Sequence, residues 1–102
     1  MTAELKTICR VTVYADATLE TILLKQFLAM GSNGYTVLAC RGKGEHDTVA
    51  DPFATVTRIR IELLVQPEVG QKILAYVDSP ALKSHPVAAC MESVQVVASE
   101  RY

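Results

Sequence analysis

The chain of 102 residues is half hydrophobic and 21% charged, with 10 Lys+Arg against 11 Asp+Glu for a formal net charge of −1. That size describes one globular domain and excludes two. The near-neutral balance and pI of about 6.1 lack the basic footprint that binding a phosphate backbone needs, so nucleic acid is not an expected partner. The longest apolar runs fall far short of the about 18–20 residues of a membrane-spanning helix, and Met1 to Lys6 has no basic-then-apolar leader pattern. A cytoplasmic location is expected.

From Ile8 to Tyr14 the β-branched residues alternate, with Cys9, Val11 and Val13 on one face and Ile8, Arg10, Thr12 and Tyr14 on the other. This is a strand pattern. Asp16 can cap a helix whose apolar positions Leu19, Ile22, Leu23, Phe27 and Met30 recur at steps of three and four, with Gly31 supplying a left-handed end. After a turn at Ser32-Asn33-Gly34, the short apolar run Tyr35 to Cys40 is bounded by glycines, as a buried strand would be. Residues 44–57 have mixed polarity, an Asp-Pro step and no sustained period, which reads as a long functional or mobile loop.

Strict alternation returns from Arg58 to Val65, placing Ile59, Ile61, Leu63 and Val65 on one face and Arg58, Arg60, Glu62 and Leu64 on the other. Pro67 opens a second helix with the stripe Val69, Ile73, Leu74 and Val77, and Asp78-Ser79-Pro80 stops it. A last strand runs from about Val87 to Val97. The order βαββαβ gives an α+β ferredoxin-like sandwich with two helices on one sheet face. Val37, Cys40, Leu64, Cys90, Val94 and Val96 cannot all face the helices, so part of the other face is expected to be apolar and covered by self-association. Cys9, Cys40 and Cys90 stand far apart and read as buried small hydrophobes rather than a metal or redox set.

Chemistry concentrates around the long loop. Gly42-Lys43-Gly44 has two readings, a flexible turn or a backbone cradle for phosphate oxygens with Lys43 adding charge. Arg58 and Arg60 share a strand face and suit a phosphate or a planar carboxylate-like anion, or else pair with Glu62 or a neighbouring subunit's acid. Glu45, His46 and Asp47 read as solvated loop residues rather than metal ligands, and no metal site is assigned. No nucleophile and base stand at a motif spacing, so an enzyme is not expected.

Gly34-Tyr35-Thr36-Val37, then Arg41-Gly42-Lys43-Gly44, the long loop, and Arg58-Ile59-Arg60-Ile61-Glu62-Leu63-Leu64-Val65 together resemble the PII signalling family, over nearly the whole chain. The resemblance implies a homotrimer of ferredoxin-like subunits, each a single domain over residues 1–102 with a mobile T-loop at about 44–57. It also implies an adenine nucleotide, ADP or AMP, in clefts between subunits, and no covalent cofactor. By position, Thr36 and Leu64 would lie against the adenine, Gly42, Lys43, Gly44 and Glu45 would wrap the phosphates, and Arg101 would reach them from the C-terminal end.

The T-loop is shorter than in the nitrogen-signalling members and holds no tyrosine, and Lys83 to Ala89 replaces a glycine-rich second phosphate loop. These departures argue against uridylylation, tight triphosphate binding and 2-oxoglutarate sensing. They make the chain most similar to PII-like proteins associated with bicarbonate transporters and carboxysomes. That resemblance implies bicarbonate as a second regulatory ligand and a bicarbonate transporter or carboxysome component as partner. A bicarbonate oxygen would take donors from Arg58, Arg60 and the Gly42-Lys43-Gly44 backbone, near His46. The alternatives are a nitrogen-type PII regulator, a ligand-independent interaction protein and a small phosphate-ester hydrolase.

Overall fold

The structure is a computed structural model, and it describes residues 1–42, 58–99 and 102. Strand β1 (Leu5–Asp16) leads through a 3-10 turn at Ala17–Leu19 into helix α1 (Glu20–Ala29). Strands β2 (Thr36–Cys40) and β3 (Arg58–Val65) follow, then helix α2 (Pro67–Val77), a second 3-10 turn at Pro80–Leu82, and β4 (Ala88–Val97). The four strands form one antiparallel sheet in the order β2-β3-β1-β4. This is the ferredoxin-like sandwich that the element order implies.

Local chemistry sets the ends of the helices. Asp16 Oδ1 accepts a hydrogen bond from the Thr18 main-chain N–H at 2.9 Å, so the cap acts on the 3-10 turn that precedes α1. At the other end Gly31, at φ 114°, lets its own N–H reach Leu28 O and the Ser32 N–H reach Phe27 O. Those two bonds are the Schellman pair, which satisfies carbonyls that the helix leaves open. Pro67 stands in the first turn of α2, where its missing N–H costs nothing.

The alternation of β3 holds at every residue, with Ile59, Ile61, Leu63 and Val65 buried. They join Val11, Val13 and Ala15 of β1, Leu23, Leu24 and Phe27 of α1 and Ile73 of α2 in one core beneath the helices. Phe27 and Tyr76 meet edge to face, 6.4 Å between centroids, and tie the two helices together. Gly70 is buried where α2 crosses the sheet, and a Cβ there would stand 2.6 Å from Met91 Sδ and 3.4 Å from Val11 Cγ2. The glycine therefore sets how closely α2 approaches β1 and β4.

Three expectations need correction. The run leading to Cys40 is an edge strand rather than a buried one, with Thr36, Leu38 and Ala39 exposed, because among the described residues β2 pairs only with β3. Along α1, Leu19, Leu23, Phe27 and Met30 pack on the core as expected, but Ile22 is 51% exposed and Leu24 takes the inward position on the other flank of Leu23. Cys9 is buried, but Cys40 is only partly so and Cys90 is exposed. Val37 packs against the core from the helix side, and the face away from the helices is apolar in part, as expected, around a charged centre. There Arg58, Arg60 and Glu62 of β3 lie beside Arg10 of β1 and Glu92 of β4, with Leu64, Val94 and Val96 toward one end. No helix of the described residues is long and apolar enough to cross a membrane.

Candidate functional site

Antiparallel register decides which side chains meet on the helix-free face. Thr36 stands opposite Glu62, and Glu62 opposite Thr12. Two residues along, Leu38, Arg60 and Tyr14 form the next row, and Cys40, Arg58 and Asp16 the one after. In the other direction Leu64 stands opposite Arg10, and Arg10 opposite Glu92. Alternate side chains share a face, so β3 presents Leu64, Glu62, Arg60 and Arg58 in a line.

Two clefts open along this line. The first, about 300 Å³, has Leu64, Thr36 and Glu62 from the sheet, Arg10 beside them, the turn residues Asn33 and Gly34, and Tyr35 and Tyr102. Arg10 Nε donates to Glu92 Oε1 at 2.8 Å, and that hydrogen bond, then the charges of Glu92 and Glu62, raises the Arg10 pKa above its ordinary value. The arginine is thus a fixed cation whose charge two acids already balance. The cleft's lining mixes Leu64 and two tyrosines with amide, hydroxyl and carboxylate groups and a paired arginine, a combination that suits a planar ring with polar edges better than a phosphate.

The second cleft, about 450 Å³, is lined by Arg41, Arg58 and Arg60 with Tyr14, Cys40, Gly42 and Ala88. Its described lining has three guanidinium groups and no acid. Asp16 lies just beyond, paired in register with Arg58. The Asp16 carboxyl is held below the usual carboxylate range by the Thr18 main-chain N–H, then by the Thr18 hydroxyl, with Arg58 a smaller cause. Arg60 Nε is 3.6 Å from Glu62 Oε1, is shielded from solvent and makes no hydrogen bond among the described residues. A buried donor without an acceptor is costly, and an anion beside Arg60 would satisfy it. Thr36 and Cys40 mark the two clefts at opposite ends of β2, roughly 13 Å apart at strand rise, comparable to the length of an extended nucleoside diphosphate.

The model of the nitrogen regulatory protein P-II family matches residues 8–101. This chain belongs to the P-II family. No curated protein matches it. Among solved structures, the PII-like protein TTHA0516 of Thermus thermophilus is 30% identical, with a TM-score of 0.77 over 92% of each chain. CPII of Thiomonas intermedia, bound to ADP, AMP and bicarbonate, is 19% identical with a TM-score of 0.77 over 91% of this chain and 96% of CPII. The same protein bound to ADP and bicarbonate gives 18% identity and a TM-score of 0.80 over 94% of each chain. At such identity the likeness to CPII is one of fold.

Of the P-II residues expected from the sequence, Thr36 and Leu64 lie together in the first cleft, and Gly42, Arg58 and Arg60 in the second. Lys43, Gly44, Glu45, His46 and Arg101 lie outside the described residues, as does the T-loop at 44–57. Sequence reasoning assigned no site role to Arg10, Glu62 and Tyr102 in the first cleft or to Tyr14 and Arg41 in the second. Same-face alternation on β1 and β3 is the signal for Arg10, Glu62 and Tyr14, once the register is known. Among the described residues no group of three His, Cys, Asp or Glu side chains is placed to hold a metal ion.

Proposed function

We propose that this P-II family protein is a regulator, not an enzyme, that binds ADP or AMP with the base in the first cleft and the phosphates directed toward the second. Bicarbonate takes the remaining donors of the second cleft. The observation that carries this reading is the division of one sheet face into a cleft where Leu64 and two tyrosines stand among mixed polar groups and a cleft lined by three arginines. They are a nucleotide's length apart and share β2 and β3. A nucleoside diphosphate has the same division, a planar base at one end and charge at the other.

Thr36 and Leu64 then contact the base, while Gly42, Arg58 and Arg60 contact the phosphates and bicarbonate, joined by Lys43, Gly44, Glu45, His46 and Arg101. CPII, which shares the fold, holds ADP, AMP and bicarbonate together, and that combination supports the same ligands here. We read the clefts as closed by neighbouring subunits of a homotrimer, which also covers Leu64, Val94 and Val96. The downstream role is control of inorganic-carbon uptake or carboxysome function, with a bicarbonate transporter or carboxysome component as target. Calorimetric titration of the purified protein with ADP and AMP tests the binding step. Saturable binding at one site per subunit, lost in an Arg58→Ala/Arg60→Ala double variant, is expected. No heat with either nucleotide would contradict it.

A further inference from the structure

We propose that Tyr102, with Tyr35, forms aromatic walls of the first cleft that stack on a planar heteroaromatic ring, so that this cleft selects ligands by their base. The proposal rests on the nucleotide reading of the same cleft. Tyr102 is the last residue of the sequence, yet two contacts hold it against the sheet. Gln66 Nε2, from the residue that caps α2, donates to the main-chain oxygen of Tyr102 at 3.2 Å. Lys6 Nζ of β1 sits over the ring, 5.7 Å from its centroid.

These contacts place a half-buried ring on the wall of a cleft that also contains Leu64 and Thr36. Tyr35 lies on the same cleft and is 50% exposed, so its ring has not been used to fill the core. With Lys6 over one face of the Tyr102 ring, a base stacks on the other. The cation does not prevent this, because stacking on a tyrosine depends on contact area and on the ring's quadrupole. A phosphate cannot stack on either ring, so the stacking acts on the base end of a ligand alone, and Tyr102→Phe separates it from any hydrogen bond of the hydroxyl.

Wild type, Tyr102→Ala and Tyr102→Phe are titrated with ADP and with pyrophosphate, which carries the phosphates without a base. Loss of one stacking ring should weaken ADP roughly tenfold in Tyr102→Ala, leave Tyr102→Phe close to wild type and leave pyrophosphate unchanged in all three. The sequence has no tryptophan, so Tyr102→Trp provides a single indole whose emission should change with ADP and not with pyrophosphate. This variant keeps the test open if Tyr102→Ala fails to fold. Equal ADP affinity in wild type and Tyr102→Ala would overturn the stacking role, as would an equal loss of ADP and pyrophosphate or an indole that does not respond to ADP. Failure of wild type itself to bind ADP would overturn the nucleotide reading and this one with it, a result distinct from the other three.

Discussion

Gly42 closes β2 at the mouth of the arginine cleft, and a Cβ added there meets nothing within 4 Å. Gly42→Ala is therefore expected to leave thermal stability within about 0.5 kcal/mol of wild type. If the main chain at Gly42 approaches a phosphate, the same variant weakens ADP, and unchanged stability with unchanged affinity would show Gly42 to be only a turn residue. Arg60 differs, because among the described residues its Nε is a buried donor without a hydrogen-bond acceptor. Arg60→Gln should reduce bicarbonate affinity roughly tenfold through loss of a charge-assisted bond, read by calorimetry at fixed ionic strength. Asp16 links the site to stability. Its folded pKa is depressed, so its contribution is present above the unfolded value of about 3.9 and is lost as pH falls through the folded pKa. Asp16→Ala is expected to cost about 1 kcal/mol at pH 7, with the gap to wild type closing below about pH 4. A gap independent of pH in denaturant melts would show that the carboxylate charge plays no part in the cap.

Two glycines set the packing of the helices on the sheet. Gly31 at φ 114° would place a Cβ 3.2 Å from Val69 Cγ2, so Gly31→Ala combines left-handed strain with contact against α2. A loss of roughly 1–2 kcal/mol in urea melts is expected. Gly70→Val drives branched carbons toward Met91 and Val11, and overpacking of this kind costs about 1–3 kcal/mol. At this scale β3 was legible residue by residue, because alternation between a core and an open face imposes a period of two that a reader can see. The burial of β2 was not legible. An apolar run of five residues is the same whether it lies at the centre of a sheet or at its edge, and only pairing with other strands decides. The place of Ile22 was not legible for a related reason: Ile22 and Leu24 flank Leu23 on α1, both are apolar, and only packing against the sheet decides which turns inward.

In the whole molecule, the candidate site depends on which strands are neighbours. Arg58 and Arg60 were visible as a pair, and Gly42 as part of a loop, because each belongs to a contiguous stretch. Arg10 opposite Leu64 and Glu62 opposite Thr36 could not be seen, since their meeting depends on register between strands far apart in sequence. That register puts Arg10 in one cleft and Arg58 and Arg60 in the other, where Arg41 joins them from beyond β2, the separation on which the nucleotide and bicarbonate reading depends. Trimeric assembly is expected from light scattering at micromolar concentration, as three times the 11.1 kDa chain mass, and a monomer mass would contradict the shared clefts. The coupling of the two ligands is the most direct test of the account. ADP is titrated calorimetrically at zero and saturating bicarbonate, and bicarbonate with and without ADP, with chloride holding ionic strength constant. Linkage requires each ligand to change the other's affinity by the same factor, and tighter binding in both directions is predicted. ADP affinity indifferent to bicarbonate, or changed equally by chloride or nitrate, would contradict a shared site.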